Sequence, residues 1–336
     1  MADTAPLRIL LLGAQGQLGH ALSQTLPVLG QVLALGRQQA DLAQAESLRA
    51  LLDQHQPQLI VNAAAYTAVD KAEQEQELAQ AINAQAPAVL AQWAAAHGVV
   101  LVHYSTDYVF DGQSTQPYTE ADTPAPQSVY GQSKWAGERA VQAALGRHLV
   151  FRTSWVVGAH GGNFLKTMLR LGAERDSLRV VADQHGAPTS TDLIARTTLE
   201  VLKQMRAHPG GPGHVPHSTD EGAWAPANDT RWGLYHLAAA GETTWHALAY
   251  YAVQVAIEAG AGLKLRPEAI TAITATEYPL PAPRPMNSRM ARSVLEAALT
   301  NSLGGSSNMP KSQLLEQSWE SQVAAYVQDL VHRKLI

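Results

Sequence analysis

Apolar residues fall in short, nearly continuous runs separated by longer stretches with helical spacing. The runs are LRILLLG (7–13), QVLALG (31–36), QLIVNAAA (58–65), VVLVHYST (99–106) and HLVFRTSW (148–155). They do not alternate with polar residues, as a strand with one wet face would. Continuous Leu, Val and Ile instead predict strands buried on both faces of a parallel sheet. Helix-length segments lie between them, at 17–28, 43–55, 68–97 and 128–145. Pro87 interrupts the third and predicts the start of a new turn or helix there, because proline has no N–H for the helical ladder. Strand–helix–strand alternation of this kind predicts a doubly wound α/β domain.

After residue 155 the pattern loosens. RVVAD (179–183) and GLYHLAA (233–239) read as further strands, with helices near 163–173, 190–207 and 243–259. The stretch 207–232 is dense in Gly and Pro and reads as a surface insertion loop. A second irregular stretch, NSLGGSSNMPKS, covers 301–312.

Composition narrows the function classes. The chain has 336 residues, 46% of them apolar, enough for one large domain and a smaller one. A net charge of -5 gives no basic surface for nucleic acid. No run of 18 apolar residues predicts a membrane span. The N-terminus, MADTAPLRILLLG, runs into glycines rather than a signal-peptide cleavage site. Cysteine is absent, which excludes disulfides and thiolate chemistry and fits a cytoplasmic location. The 13 histidines show no metal-ligand spacing, so no metal site is expected from them.

The first run enters Gly13-Ala14-Gln15-Gly16-Gln17-Leu18-Gly19, a GxxGxxG turn between a strand and a helix. Glycines there allow a tight turn, close approach of backbone to a pyrophosphate, and close packing of helix on sheet. The helix N-terminus adds free N–H groups and the positive end of its dipole. The expectation is a Rossmann-type NAD(P) site. An acid commonly ends the second strand of NAD sites and binds the ribose. Here the strand ends Leu35-Gly36-Arg37. Arg37 can pair with a 2′-phosphate, and Asp41 can reach the adenine end, so NADPH is expected with NADH tolerated.

Tyr130 and Lys134 sit four apart in QSVYGQSKWAGERA (127–140) and share one helix face. A phenol is a poor acid–base group at neutral pH, and a nearby ammonium is expected to lower its pKa. The pair can then exchange a proton with a sugar oxygen or carbonyl. Alone the spacing says little. It follows HYSTDYVFDG (103–112), in which Thr106 places a hydroxyl at the carboxyl end of a strand, where open α/β sheets bind ligands.

Nucleotide fold, strand-end hydroxyl and YxxxK, in that order, resemble an extended short-chain dehydrogenase/reductase. Further segments narrow the likeness. NAAAYTAVDKAE (62–73), HYSTDYVFDG, VYGQSK (129–134), FRTSWVV (151–157), NFLKTMLRL (163–171), DQHGAPT (183–189), LYHLAAAGETTW (234–245) and YPLPAPRPMNSRM (278–290) resemble the dTDP-4-dehydrorhamnose reductases over almost the whole chain. That resemblance implies reduction of the 4-keto group of dTDP-4-dehydro-6-deoxy-L-mannose to dTDP-L-rhamnose. It implies Tyr130 as proton donor, Lys134 as its partner and cofactor contact, and Thr106 as the hydroxyl on the keto oxygen. Asp107 then lies in the substrate site and Trp155 packs on the nucleotide sugar. Gly13, Gly16, Gln17, Leu18 and Gly19 form the pyrophosphate turn. Asp41 and Leu42 meet the adenine, and Ala65, Tyr66, Thr67 and Tyr104 line the cofactor cleft. Arg284 and Asn287 either line the substrate side or hold the C-terminal loop.

By the same resemblance, residues 1–156 form mainly the cofactor domain. Residues 157–336 form mainly the substrate region, with some segments returning to the first domain. Some members hold Mg²⁺ between the subunits of a homodimer, with a carboxylate just after the glycine turn. Here His20-Ala21-Leu22 stands there, so no ligand is evident. Two rivals share the fold. One is an epimerase or dehydratase of the same superfamily, and Asp107 after Thr106 suits the dehydratase. The other is a non-catalytic regulatory subunit of methionine adenosyltransferase, which has no need of Thr106, Tyr130, Lys134 and Trp155 together.

Overall fold

The structure, a computed structural model, describes residues 6–207, 223–300, 314 and 316–335. Five strands, β1 (Leu7–Leu12), β2 (Gly30–Leu35), β3 (Leu59–Asn62), β4 (Val100–Thr106) and β5 (His148–Thr153), are joined by a later strand, Gly233–His236. They form one sheet in the order β2-β1-β3-β4-β5-(233–236), and every pairing is parallel.

The continuous apolar runs have a direct cause. Ile9 and Leu11 of β1 pack on one face of the sheet, with Leu59, Val61, Val102, Leu149 and Phe151. Leu10 and Leu12 pack on the other, with Ile60, Leu101 and Val150. The inner strands β1, β3, β4 and β5 therefore bury both of their faces, as the two helix layers of a doubly wound fold require, whereas the edge strand β2 is largely half-exposed. One layer is built on α1 (Gln17–Thr25) and the later helix Thr191–Ala207, and the other on α2 (Ala45–His55), α5 (Ala86–His97) and α6 (Val129–Ala144). Strand β1 is flanked by β2 and β3, so successive crossovers leave it in opposite directions. The crevice at the carboxyl ends of those strands is where such sheets bind ligands.

The 68–97 segment starts a new helix at Pro87, as its sequence predicts, but it is not a single helix before that point. It is α3 (Val69–Ala72), α4 (Gln76–Gln80), a π-helical turn over Ala81–Gln85, and then α5. Pro87 stands in the first turn of α5, where its missing N–H costs nothing. The disturbed ladder falls just upstream, as the wide turn. The 207–232 stretch is also not wholly a surface loop. Residues 208–222 lie outside the described residues, but Ala225 and Trp232 are buried and Trp224 packs beside them. The Ala225 N–H donates to the Met205 carbonyl at 3.0 Å. Two tryptophans in an otherwise polar, Gly-rich stretch bury enough apolar area to dock it. The 301–312 stretch lies outside the described residues.

Candidate active site

The GxxGxxG turn has the geometry its sequence predicts. Gly13 adopts φ 80°, a left-handed conformation that glycine accepts without strain. A Cβ on Gly19 would stand 2.0 Å from the Gly13 carbonyl oxygen, so only glycine lets the helix start this close. The Gly13 and Ala14 N–H groups both donate to the Leu35 carbonyl at 3.0 Å, tying the turn to the end of β2. Above it opens a cavity of about 810 Å³. Gly13, Gly16, Gln17 and Leu18 form one end, Arg37, Asp41 and Leu42 another, and Ala65, Tyr66, Thr67 and Tyr104 the wall. Thr106, Asp107, Tyr130, Lys134 and Trp155 close the far end. Gly19 packs behind the turn. Two buried hydroxyls of this lining, Ser105 Oγ and Thr153 Oγ1, have no partner among the described residues. Buried hydroxyls are normally satisfied, so both mark a place for a polar ligand. A long cavity with a glycine cradle at one end and spare hydroxyls at the other fits an extended dinucleotide.

Helix α6 carries the Tyr130–Lys134 pair. Ser128 caps it, accepting from the Gly131 N–H at 3.2 Å, and sets the phase at which both side chains face β4. Lys134 is fully buried and donates to the Tyr104 carbonyl at 2.6 Å. Burial pulls its pKa down to about 8, and the Glu138 carboxylate one turn on resists that shift. The expected lowering of the tyrosine is not found. Burial instead pushes Tyr130 up to about 12, partly offset by its hydrogen bond to Thr106 and raised further by Asp107. Desolvation of the phenol is the largest influence on it. Tyr130 is a neutral O–H at pH 7, a proton donor rather than a base.

Trp155 follows β5 with φ 47°, a strained angle for a bulky residue. Its indole stacks on Trp245, centroids 3.6 Å apart. It lines a second cavity as well, of about 710 Å³, which meets the first at Trp155 and Tyr108. The walls of that cavity are apolar and aromatic, and its charged residues are three arginines: Arg175, Arg179 and Arg284. Among the described residues no carboxylate is in the lining. Arg284 lines this second cavity and is held there by Asp70 at 2.7 Å. Asn287 is instead a brace, its Nδ2 donating to the Ser114 and Gln116 carbonyls at 2.9 and 2.8 Å.

Several participants escaped sequence reasoning. Asn83 sits in the π-helical turn. Its amide accepts from the Tyr66 N–H at 2.8 Å and donates to the Tyr66 carbonyl at 3.0 Å and to Ser133 Oγ at 3.0 Å. One side chain thus pins the cofactor wall to α6. An asparagine four residues before a proline inside a helical pattern was the available signal. Gly161 and Gly162 border the cofactor cavity, and their Gly-rich loop gave no distinguishing mark. Trp245 ends a quoted motif, but its contact with Trp155 is visible only in three dimensions.

The chain matches the model of the RmlD substrate binding domain family over residues 7–305. It is 42% identical to the dTDP-4-dehydrorhamnose reductase of Burkholderia thailandensis over 291 residues, 86% of this chain and 92% of that one. It is 42% identical to the enzyme of that name from Salmonella typhimurium over 288 residues, 84% and 89% of the two chains. A crystal structure of a dTDP-4-dehydrorhamnose reductase from Clostridium acetobutylicum superposes with TM-score 0.79 at 32% identity, covering 97% of this chain and all of that one. The Bacillus anthracis reductase, solved in complex with NADP, gives 0.76 at 30% identity, with 96% and 99% covered. A nucleotide-sugar dehydratase, DesIV from Streptomyces venezuelae, shares the fold at 16% identity and TM-score 0.68. The family match over most of the chain and the identity to these reductases show that this chain belongs to the dTDP-4-dehydrorhamnose reductase family.

Proposed function

We propose that this chain reduces the 4-keto group of dTDP-4-dehydro-6-deoxy-L-mannose to give dTDP-L-rhamnose, with NADPH as reductant. The observation that carries it is the junction of two cavities at Trp155 and Tyr108 beside Tyr130. One cavity has the cradle and length for a dinucleotide. The other has arginines for a diphosphate and aromatic walls for a base and a deoxysugar. Arginine suits that role because its planar fork matches phosphate oxygens. In this reading residues 1–156 carry the cofactor and 157–336 mainly the substrate.

Bound NADPH supplies a hydride to the carbonyl carbon. The protein's own residues do the rest. Thr106 holds the keto oxygen, and Tyr130 gives its phenolic proton to the oxygen as negative charge develops there. That leaves a tyrosinate, which the Lys134 ammonium stabilises until a solvent proton restores it. Trp155 and Trp245 form an apolar wall for the sugar face and exclude water. Asp107 offers a carboxylate to a sugar hydroxyl. The same site, in a protein without turnover, would be a regulatory subunit, but no such protein needs a buried lysine beside a buried phenol. An epimerase or dehydratase uses the cofactor without net consumption. Incubation with NADPH and dTDP-4-dehydro-L-rhamnose is expected to consume both in equal amounts. Turnover of the sugar without loss of NADPH would contradict the reductase.

Two further outcomes follow from the site. Arg37→Ala is expected to weaken NADPH by roughly 10-fold or more and NADH little, since charge-assisted phosphate contacts are worth about 1.5–3 kcal/mol. Equal losses in fluorescence titrations with the two cofactors would remove the 2′-phosphate from Arg37. The working form also needs Lys134 charged. Its pKa, held at about 8, predicts that kcat/KM declines above about pH 8 as the ammonium is lost. A rate that holds flat to about pH 10 would show that this charge is not needed.

A further inference from the structure

The stretch 182–186 follows the strand Leu178–Val181, which lines the second cavity. It is tied down almost residue by residue. Ala182 N–H donates to the Ile273 carbonyl at 2.8 Å. The Asp183 carboxylate accepts from the Ala275 N–H at 2.9 and 3.1 Å. His185 N–H donates to the Met286 carbonyl at 2.9 Å, and the His185 carbonyl accepts from the Ser288 N–H at 2.7 Å. His185 and Gly186 pair with Thr244 and Thr243. Gln184 is the exception. It is only 8% exposed and lines the second cavity, yet its amide has no hydrogen-bond partner among the described residues. Buried amides are normally satisfied. A ligand in the cavity therefore meets a free donor and acceptor on a fixed strut.

The neighbours of Gln184 locate it along the cavity. On one side, the Ser288 held by His185 donates its hydroxyl to Asp107 Oδ2, and Asp107 follows Thr106 at the end of β4. Gly186 lies against Trp155, so close that a Cβ there would stand 2.6 Å from the indole. On the other side, the chain leads back to Arg179 in the cavity wall. Gln184 thus stands between the reacting end, at Thr106 and Asp107, and the arginine end.

We propose that Gln184 is a specificity residue whose amide hydrogen-bonds the C2 hydroxyl of the sugar. The inference rests on the reductase reading above. A 4-keto-6-deoxyhexose joined to a diphosphate through C1 keeps free hydroxyls only at C2 and C3. With its keto oxygen on Thr106, the C3 hydroxyl is the one that Asp107 meets. C2 comes next, and C1 carries the diphosphate towards the arginines. The protein groups Thr106, Asp107, Gln184 and Arg179 follow one another in the order of C4, C3, C2 and C1. An amide both donates and accepts, so it satisfies a hydroxyl whichever way the hydrogen turns. A sugar without oxygen at C2 leaves this nearly buried amide unpaired. Polar sites discriminate strongly against ligands that strand their groups in that way.

The test compares dTDP-L-rhamnose with its 2-deoxy analogue by calorimetric titration of the protein saturated with NADP⁺. Both titrations are repeated in Gln184→Met, which keeps the length of the side chain and loses the amide. The wild type is expected to bind dTDP-L-rhamnose about 10-fold more tightly than the analogue, the worth of a hydrogen bond to a group otherwise left unpaired. Gln184→Met is expected to bind the two sugars alike and to hold dTDP and NADPH within about 2-fold of the wild type. In turnover the loss is expected in KM, with kcat within about 2-fold, because the C2 contact is the same in ground and transition states. Equal affinity of the wild type for the two sugars overturns the proposal without any variant. So does a Gln184→Met protein that keeps the wild-type preference. A variant that loses dTDP as heavily as dTDP-L-rhamnose also overturns it, since Gln184 would then only support the cavity. Wild-type protein that binds neither dTDP-L-rhamnose nor dTDP, and leaves NADPH unconsumed, overturns the substrate reading itself, and the proposal falls with it.

Discussion

Tyr130→Phe is expected to bind NADPH as the wild type does and to turn over about 10²–10⁴-fold more slowly, the usual worth of general acid catalysis. The substitution removes one oxygen and keeps the ring, which packs edge-on to Tyr108 with centroids 5.3 Å apart. The fold and both cavities should survive. What is lost is a proton held on a phenol that burial keeps neutral, at about 12. Without it the developing alkoxide must take its proton from water in a closed site. The loss should appear in kcat, because the proton is transferred only in the transition state. Turnover at the wild-type rate would show that another group is the acid, and the roles of Lys134 and Thr106 would fall with it.

Glu138→Ala is expected to destabilise the fold by about 3–5 kcal/mol, the cost of stranding a buried charge. Glu138 and Arg152 form a forked pair, Nε to Oε1 at 2.9 Å and Nη2 to Oε2 at 2.7 Å. Their side chains are 1% and 3% exposed. The pair joins α6 to β5 beneath the catalytic helix, and Arg152 also lies over the Phe110 ring at 4.9 Å. Alanine leaves the guanidinium dry and unmatched. Glu138 additionally supports the charge on Lys134, so Glu138→Gln should shift the alkaline loss of activity to lower pH. Denaturant unfolding measures the first effect and a pH–rate profile the second. A stability change under about 1 kcal/mol would mean that the pair is not a structural tie between helix and sheet.

Much of this was legible in the residues. Gly13, Gly16 and Gly19 announce themselves because a tight turn against a helix start tolerates no Cβ. The continuous runs of β1 and β4 read as buried on both faces, and they are. Tyr130 and Lys134 share a face because helical spacing alone places them there. The electrical state of that pair was not legible. Spacing puts an ammonium and a phenol on one helix face, but does not show that burial raises the phenol's pKa. Long-range contacts were equally hidden. Ser288 meets Asp107 across 181 positions of chain, and Asn83 meets Ser133 across 50. Trp155 stood out within its motif, but its stacking on Trp245 did not. The docking of residues 223–232 was masked by a Gly- and Pro-rich surrounding that outweighed two tryptophans.

The central claim is that Tyr130, Lys134 and Thr106 complete a hydride transfer to a sugar carbonyl. The most direct test supplies NADPH deuterated at the transferable position, with dTDP-4-dehydro-L-rhamnose, and locates the label by NMR. The expected result is dTDP-L-rhamnose with deuterium at C4, one label for each NADPH oxidised, and almost no product from Tyr130→Phe. Product without label, label at another carbon, or unchanged NADPH would contradict it.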